Sequence, residues 1–341
     1  MTGLRFAFRT LSRTPVLSLV VILSLGLGIG ANTAIFSLMH QALMRALPVP
    51  DPQELVVLTS PADFKSGRSS ADDSGGMDRI FSYLAFRGLE RNPAGVQGVA
   101  AYRVFGANIA FQGKTLDGAV NVVSGGYFPL LRVQPLLGRM LSWEDDRGAG
   151  QPAAVLSYGY WQDRLGGRSD VLNQPIRVNG QVFTAVGVAP KEFTGLTLGS
   201  EPDIYVPLVF KPAMTPGWNG TDRWDDYYLY VFGRLKAGVT RPQAEAALNG
   251  TYAGLIDQHI LTLRGRDQEY LRRFRQSRLA LEDGTKGMSQ VREQMRTPLT
   301  ILLVCTALVL LIAAGNAANL LLARAAQRGK ELSIRVAMGA S

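Results

Sequence analysis

No Asp, Glu, Lys or Arg occurs between Thr14 and Met44 or between Thr297 and Ala323, gaps of 31 and 27 residues in a chain that is 18% charged overall. A helix needs only about 20 apolar residues to cross the hydrocarbon core of a bilayer. The gaps predict two transmembrane helices, at 16–40 and 299–323, with the lipid bilayer as an obligatory partner. The remainder is charged and punctuated by Gly and Pro, as in a water-soluble domain. The fold class expected is a membrane protein in which two transmembrane α-helices flank a large α+β extracytoplasmic domain.

The first gap has a competing reading as a secretory signal, because Arg5, Arg9 and Arg13 precede it and Ala31-Asn-Thr-Ala34 resembles a cleavage site. Signal cores run to about 7–15 residues, whereas Val16–Leu38 is 23 uncharged residues. An uncleaved anchor is the better reading. The second gap lies too far along the chain to be a signal.

Charge orients the spans. Of the net +9, residues 1–15 hold +3 and residues 324–341 another +3, which leaves only +3 for the long middle. A basic nucleic-acid-binding surface is therefore not expected. Basic residues near spans mark the cytoplasmic side. Seven lie in the terminal segments, against four (Arg45, Lys286, Arg292 and Arg296) on the other flanks. Both termini are thus expected to be cytoplasmic in a bacterial inner membrane, and residues 45–296 extracytoplasmic. Cys305, the one cysteine, falls inside the second span, where a small packing residue is expected. No disulfide within the chain is possible, so the outer domain relies on its own core.

Finer patterning divides the chain. In residues 1–15, Leu4, Phe8 and Leu11 share one helical face and Arg5, Arg9 and Arg13 another, as in an interfacial amphipathic helix. In the first span Gly26, Gly30 and Ala34 form a small-xxx-small stripe, suited to packing against the second span or a second copy. Asn316 and Asn319 of the second span also belong to helix packing, because an unpaired amide in hydrocarbon is costly. The outer domain, 41–285, is followed by a stalk at 286–298. Within it, Pro175–Val188 reads as a hairpin about Asn179-Gly180, and Ala153–Tyr158, Asp203–Leu208 and Tyr227–Leu235 as strands. Asp78–Arg91 and Thr240–Leu263 read as helices. In the second, Thr240 and Gln243 suit a capping box, and Ala244, Leu248, Tyr252 and Ile256 share a face. Asp63–Met77, rich in Ser, Gly and Asp, reads as a mobile loop.

Catalytic constellations are not apparent. His40 and His259 are the only histidines, too few for a His-based zinc site. Val155-Leu-Ser157-Tyr-Gly159 lacks the first glycine of a nucleophile elbow. Glu144, Asp145 and Asp146 could in principle hold a cation, but adjacent loop carboxylates are usually solvated. Asn108-Ile-Ala-Phe-Gln-Gly113-Lys114-Thr115 ends like a phosphate loop, yet has Asn where Gly is needed and reads as a strand. The sequons at Asn219 and Asn249 matter only in a eukaryotic secretory pathway, for which nothing argues. No catalytic, cofactor or metal site is expected.

Several ordered segments together resemble the permeases of MacB/FtsX-type ABC transporters, and in detail the acidobacterial-type duplicated orphan permeases. Leu4-Arg-Phe-Ala-Phe-Arg-Thr-Leu11 and Leu25-Gly-Leu-Gly-Ile-Gly-Ala-Asn-Thr-Ala-Ile-Phe36 look like their first span. Val123-Ser-Gly-Gly-Tyr127-Phe128, Pro135-Leu-Leu-Gly138-Arg139, Glu144-Asp-Asp146, Val155-Leu-Ser157, Trp161 and Val186-Gly-Val188 look like their MacB-like periplasmic core domain. Asn316-Ala-Ala-Asn-Leu-Leu-Leu-Ala-Arg324, with Arg328, Glu331, Arg335 and Gly339-Ala-Ser341, looks like the end of their second span and the short helix beyond.

The resemblance implies four spans per unit, so a chain stopping at Ser341 is expected to be a partial permease or half of a split one. It also implies that a separate cytoplasmic ABC ATPase hydrolyses ATP, and that the permease carries motion outward for efflux or export. A homodimer or a pairing with another permease half is a further expected partner. The segment 324–341, the start of an FtsX-like permease domain, carries Arg324, Arg328, Glu331, Arg335 and Gly339 as its ATPase-coupling residues. A two-span sensor with an outer ligand-binding domain is the alternative, though a sensor should end in a signalling module. A tethered hydrolase is a third reading, which the missing constellation disfavours.

Overall fold

The computed structural model describes residues 15–60, 68–72, 74–148, 151–197, 199–261 and 267–338. The amphipathic segment expected within residues 1–15 lies outside them but for Pro15. The chain forms two compact units, one of residues 1–45 with 292–341 and the other spanning Ala46–Val291.

The first unit holds the spans. Helix α1 is described over Pro15–Met39. It continues into a wider helical turn at His40–Met44. Two stretches, Ser18–Met39 and Gln294–Ala323, are long and apolar enough to cross a membrane. Cys305 is exposed on its helix and faces outward from this pair.

The second unit is α+β. Its strands are β1 (Leu55–Thr59), β2 (Arg68–Ser69), β3 (Ile80–Ser82), β4 (Val96–Phe111), β5 (Lys114–Val123) and β6 (Leu137–Gly138). They continue as β7 (Ala153–Leu156), β8 (Pro175–Val178), β9 (Gln181–Val188), β10 (Ile204–Pro207), β11 (Asp226–Leu235) and β12 (Ala280–Asp283). The helices are α2 (Tyr83–Arg91), α3 (Tyr127–Leu131), α4 (Lys211–Met214), α5 (Arg241–Ile260) and α6 (Gln268–Arg275), and α7 (Gln290–Ala337) leads back to the span.

The sheet runs β12-β1-β11-β4-β5-β10-β7-β9-β6, and β8 joins β4 to β9. Strands β4, β5, β10, β7, β9 and β8 therefore pair in a closed ring, which leaves few open edges. Alternation sorts the side chains of the open part into two cores. Val56, Leu58, Val99, Ala101, Leu229 and Val231 join the core beside α2 and α5. Leu55, Val57, Ala100, Tyr102, Tyr230 and Phe232 join the one that includes α3, Phe193 and Leu196. Both faces being apolar, β1 is buried throughout and β11 at all but its last residue.

Local chemistry sets the boundaries. Asn179 and Gly180 take φ of 46° and 86°, the left-handed pair that a type I′ turn requires. Thr240 and Gln243 form the capping box of α5, and Ala244, Leu248, Tyr252 and Ile256 are its buried face. The helix expected over Asp78–Arg91 is shorter. Ile80 and Phe81 point into opposite cores, which requires an extended backbone, and β3 pairs with β11. The Ser82 hydroxyl accepts from Ala85 N at 3.2 Å and starts α2 one residue later. The loop expected at Asp63–Met77 is also partly fixed. Among its described residues, β2 pairs with β11, Asp72 N donates to the Tyr230 hydroxyl at 2.8 Å, and Ser74 Oγ lies 2.7 Å from Thr197 Oγ1.

Candidate functional site

Within the helical unit, α1 and α7 meet where one small residue removes bulk. Gly28 is buried, and a Cβ added there would lie 2.9 Å from Leu310 Cδ1. One turn further, Asn32 and Thr306 bond across the pair. Thr306 Oγ1 donates to Asn32 Oδ1 at 2.8 Å, and Asn32 Nδ2 donates to the Thr306 carbonyl at 3.3 Å. Beside this contact is a cleft of about 750 Å³, lined by Ser24 and Gly28 of α1 and by Ala313, Asn316, Ala317 and Asn319 of α7.

The sequence-derived residues separate here. Asn316 and Asn319 lie together on the cleft. Among the described residues Gly26 and Gly30 have nothing within 4 Å of an added Cβ, and Ala34 is exposed, so the stripe lies outside the α1–α7 contact. Gly28, Asn32 and Thr306 were missed. An amide inside a charge-free span was the available signal for Asn32, the same one that picked out Asn316.

Helix α7 runs 48 residues without a break, with Pro298 its one residue lacking an N–H. At 1.5 Å per residue that is about 72 Å, well over twice the length of a membrane crossing. Arg324, Arg328, Glu331 and Arg335 fall on its last turns, and Gly339 lies outside the described residues.

The outer unit's charged groups serve its fold. Asp146, expected to be solvated, has a side chain only 3% exposed. Its Oδ2 accepts from Arg87 Nη2 at 2.7 Å and Gly125 N at 3.2 Å, and its Oδ1 from Val209 N at 2.8 Å. Burial pushes this carboxyl up from its ordinary value, while Arg87 draws it back. Asp145 accepts from both ends of the Arg139 guanidinium at 2.8 Å and from Ser142 N. Three distant segments supply the donors of Asp146, and no adjacent pattern shows them in advance. Lys114 follows the Gln112-Gly113 turn of the β4–β5 hairpin, in place of a phosphate cradle. His259 stacks on Trp224 at 4.8 Å, and burial lowers its imidazole below the usual value. Among the described residues no three His, Cys, Asp or Glu side chains gather as a metal site.

Two membrane-length helices bracketing a large α+β domain define a membrane protein whose bulk is inserted between its spans. The chain belongs to the family of the MacB-like periplasmic core domain, whose model matches residues 18–251. It is thus a MacB-like ABC transporter permease with an extracytoplasmic segment. No curated protein matches the sequence. Among solved structures, the chain is similar to the extracellular domain of the noncanonic ABC-type transporter YknZ from Gram-positive bacteria. Identity is 16% and the TM-score 0.43, over 67% of this chain and 99% of that one. It is also similar to the periplasmic region of MacB from Actinobacillus actinomycetemcomitans, at 11% identity and TM-score 0.45, over 72% and 93%.

Proposed function

We propose that this permease carries motion from a separate cytoplasmic ATPase to its outer domain, in the service of efflux or export. The observation that carries the reading is the unbroken helix Gln290–Ala337. A helix that long places a membrane crossing and residues beyond it on one stiff element, so a push at one end is felt at the other. The basic residues at both chain ends support cytoplasmic termini, with residues 45–296 outside, 286–298 as the stalk and 324–341 as the coupling segment. Arg324, Arg328, Glu331, Arg335 and Gly339 then face the ATPase. Glu331 separates this role from simple orientation, because topology has no need of an acidic residue. The Gly26/Gly30/Ala34 stripe, open within this chain, is suited to another span or a second copy.

The experiment uses the purified chain in nanodiscs and an ABC ATPase domain encoded in the same genome. Parent protein should recover the ATPase in a pull-down, and Glu331→Lys and Arg335→Glu should lose it. If both variants insert normally and recover parental amounts, the coupling role is wrong.

A further inference from the structure

The two segments that connect the outer unit to the helices, Ala46–Val49 and Thr285–Ser289, are fastened to each other and to one turn. Leu47 N donates to the Thr285 carbonyl at 2.9 Å. Met288 N donates to the Leu196 carbonyl at 2.9 Å, and Thr197 pairs with Met288 as an isolated parallel bridge. The approach is close because of Gly287. It sits at φ 72°, and a Cβ there would lie 2.3 Å from the Leu196 oxygen. Met288 itself is buried in the core that holds Tyr102, Tyr127, Phe193 and Leu196.

The other side of the same turn reaches the sheet through hydroxyls. Thr197 Oγ1 lies 2.9 Å from the Tyr102 hydroxyl of β4 and 2.7 Å from Ser74 Oγ. Ser74 neighbours a segment tied to β11, where the Tyr230 hydroxyl accepts from Asp72 N and donates to the Gly75 carbonyl at 2.9 Å. Two adjacent residues thus hold both sides, Leu196 bonding the stalk through its carbonyl and Thr197 reaching β4 and the Ser74 loop through its side chain. Thr197, Ser74, Tyr102 and Met288 are buried, so losing the Thr197 hydroxyl leaves its partners unpaired where water cannot replace it.

We infer that the Leu196–Thr197 turn, clasped to Met288 on one side and to Tyr102 and Ser74 on the other, is the joint that passes stalk movement to the sheet. This rests on the reading that motion is transmitted. It adds the positioning residues, Thr197 foremost, that make the outer domain follow its stalk. Met288 lies two residues before the first residue of α7, so a displacement of that helix reaches the turn through a very short lever.

Amide hydrogen exchange on the full chain in nanodiscs tests the joint without any ATPase. Thr197→Val removes the hydroxyl and keeps the shape. Exchange should rise about tenfold both at 285–289 and at the described amides of 70–77, the size of effect one lost buried hydrogen bond gives. The centre of β11 should be unchanged. Thr197→Ser should exchange like the parent, and the milder Ser74→Ala should shift the same two segments if Thr197→Val fails to fold. Parental exchange at 285–289 in Thr197→Val, or in Ser74→Ala where that variant alone folds, overturns the proposal. A second arm uses an ATPase that binds the chain and spin labels at Leu136→Cys and Leu261→Cys in a Cys305→Ser background. Thr197→Val should bind the ATPase yet lose any ATP-dependent change of distance seen in the parent. A parental change in the variant overturns the joint. A parent that shows no change refutes the transmission reading instead, and the exchange result still decides the clasp.

Discussion

Asn32 and Thr306 satisfy each other across the two spans, the hydroxyl donating to the amide oxygen at 2.8 Å and the amide donating to the threonine carbonyl at 3.3 Å. The pairing closes the Asn32 amide, whereas the Thr306 hydroxyl has the Leu302 and Leu303 carbonyls within 3.0 Å as alternatives. Such bonds in membranes contribute on the order of 1 kcal/mol, because the separated helices also find partners. Asn32→Leu should therefore weaken α1–α7 pairing in part, read as reduced disulfide cross-linking between cysteines placed across the pair in Cys305→Ser protein. Unchanged cross-linking refutes the contribution.

The glycines of α1 divide into two kinds. Gly28→Ile drives a branched side chain against Leu310, whose Cδ1 lies 2.9 Å from where even a Cβ would sit, so it should disrupt the intramolecular pair. At Gly30 an added Cβ has nothing within 4 Å among the described residues. Gly30→Ile should leave that cross-link intact and lower recovery of tagged by untagged copies, or of another permease half. Equal effects of both substitutions on both readouts would sink the division.

Asp146 holds together elements far apart in sequence. Asp146→Ala leaves the Gly125 and Val209 amides without their acceptor and removes one of the two carboxylates on Arg87. Breaking a buried pair in this way costs about 3–5 kcal/mol. Urea unfolding of the outer unit, followed by tryptophan fluorescence, should show a lowered midpoint with an unchanged slope. A loss under about 1 kcal/mol would mean that water reaches these groups.

What the sequence made legible was local. The Asn179-Gly180 turn and the Thr240–Gln243 cap are decided by neighbouring residues, and both form where expected. The two charge gaps likewise coincide with long helices. Closure of the strand ring was not legible, because the pairing of Ile109 with Val178 depends on contacts 69 residues apart. Nor was the burial of Asp146, which Val209 completes from 63 residues away. At the spans, periodicity drew attention to Gly26, Gly30 and Ala34, whereas the contact within the chain uses the interleaved Gly28. Spacing shows which residues share a helix face but not what that face meets.

The proposed orientation rests on the basic flanks and is open to a direct measurement. In Cys305→Ser protein, Leu261→Cys places a thiol at a site 84% exposed on the outer unit, and Met338→Cys one at a site 75% exposed beyond the second span. A membrane-impermeant maleimide added to intact spheroplasts should label the first and spare the second until the membrane is opened. Labelling of Met338→Cys in sealed spheroplasts would reverse the assigned topology.

Lys211 gives the outer unit a dependence on alkaline pH. Its side chain is fully buried, with Nζ donating to the carbonyls of Trp218 and Asn219 and lying 4.7 and 4.5 Å from the ring centres of Trp218 and Tyr228. Burial lowers its pKa to about 8, from 10.5. Below about pH 8 the amine is charged in both folded and unfolded chains, and its contribution to stability does not change with pH. Between about pH 8 and 10.5 the unfolded chain holds the proton more tightly than the folded one, so raising pH favours the fold. Lys211→Met removes this term while leaving the Asn219 carbonyl without a donor and that of Trp218 with only the Thr215 hydroxyl, and should be destabilised throughout. The gap between parent and variant should widen from pH 8 to 10 in urea unfolding of the outer unit. A constant gap across that range would show that the carbonyls and ring faces hold the ammonium well enough to cancel the effect of burial.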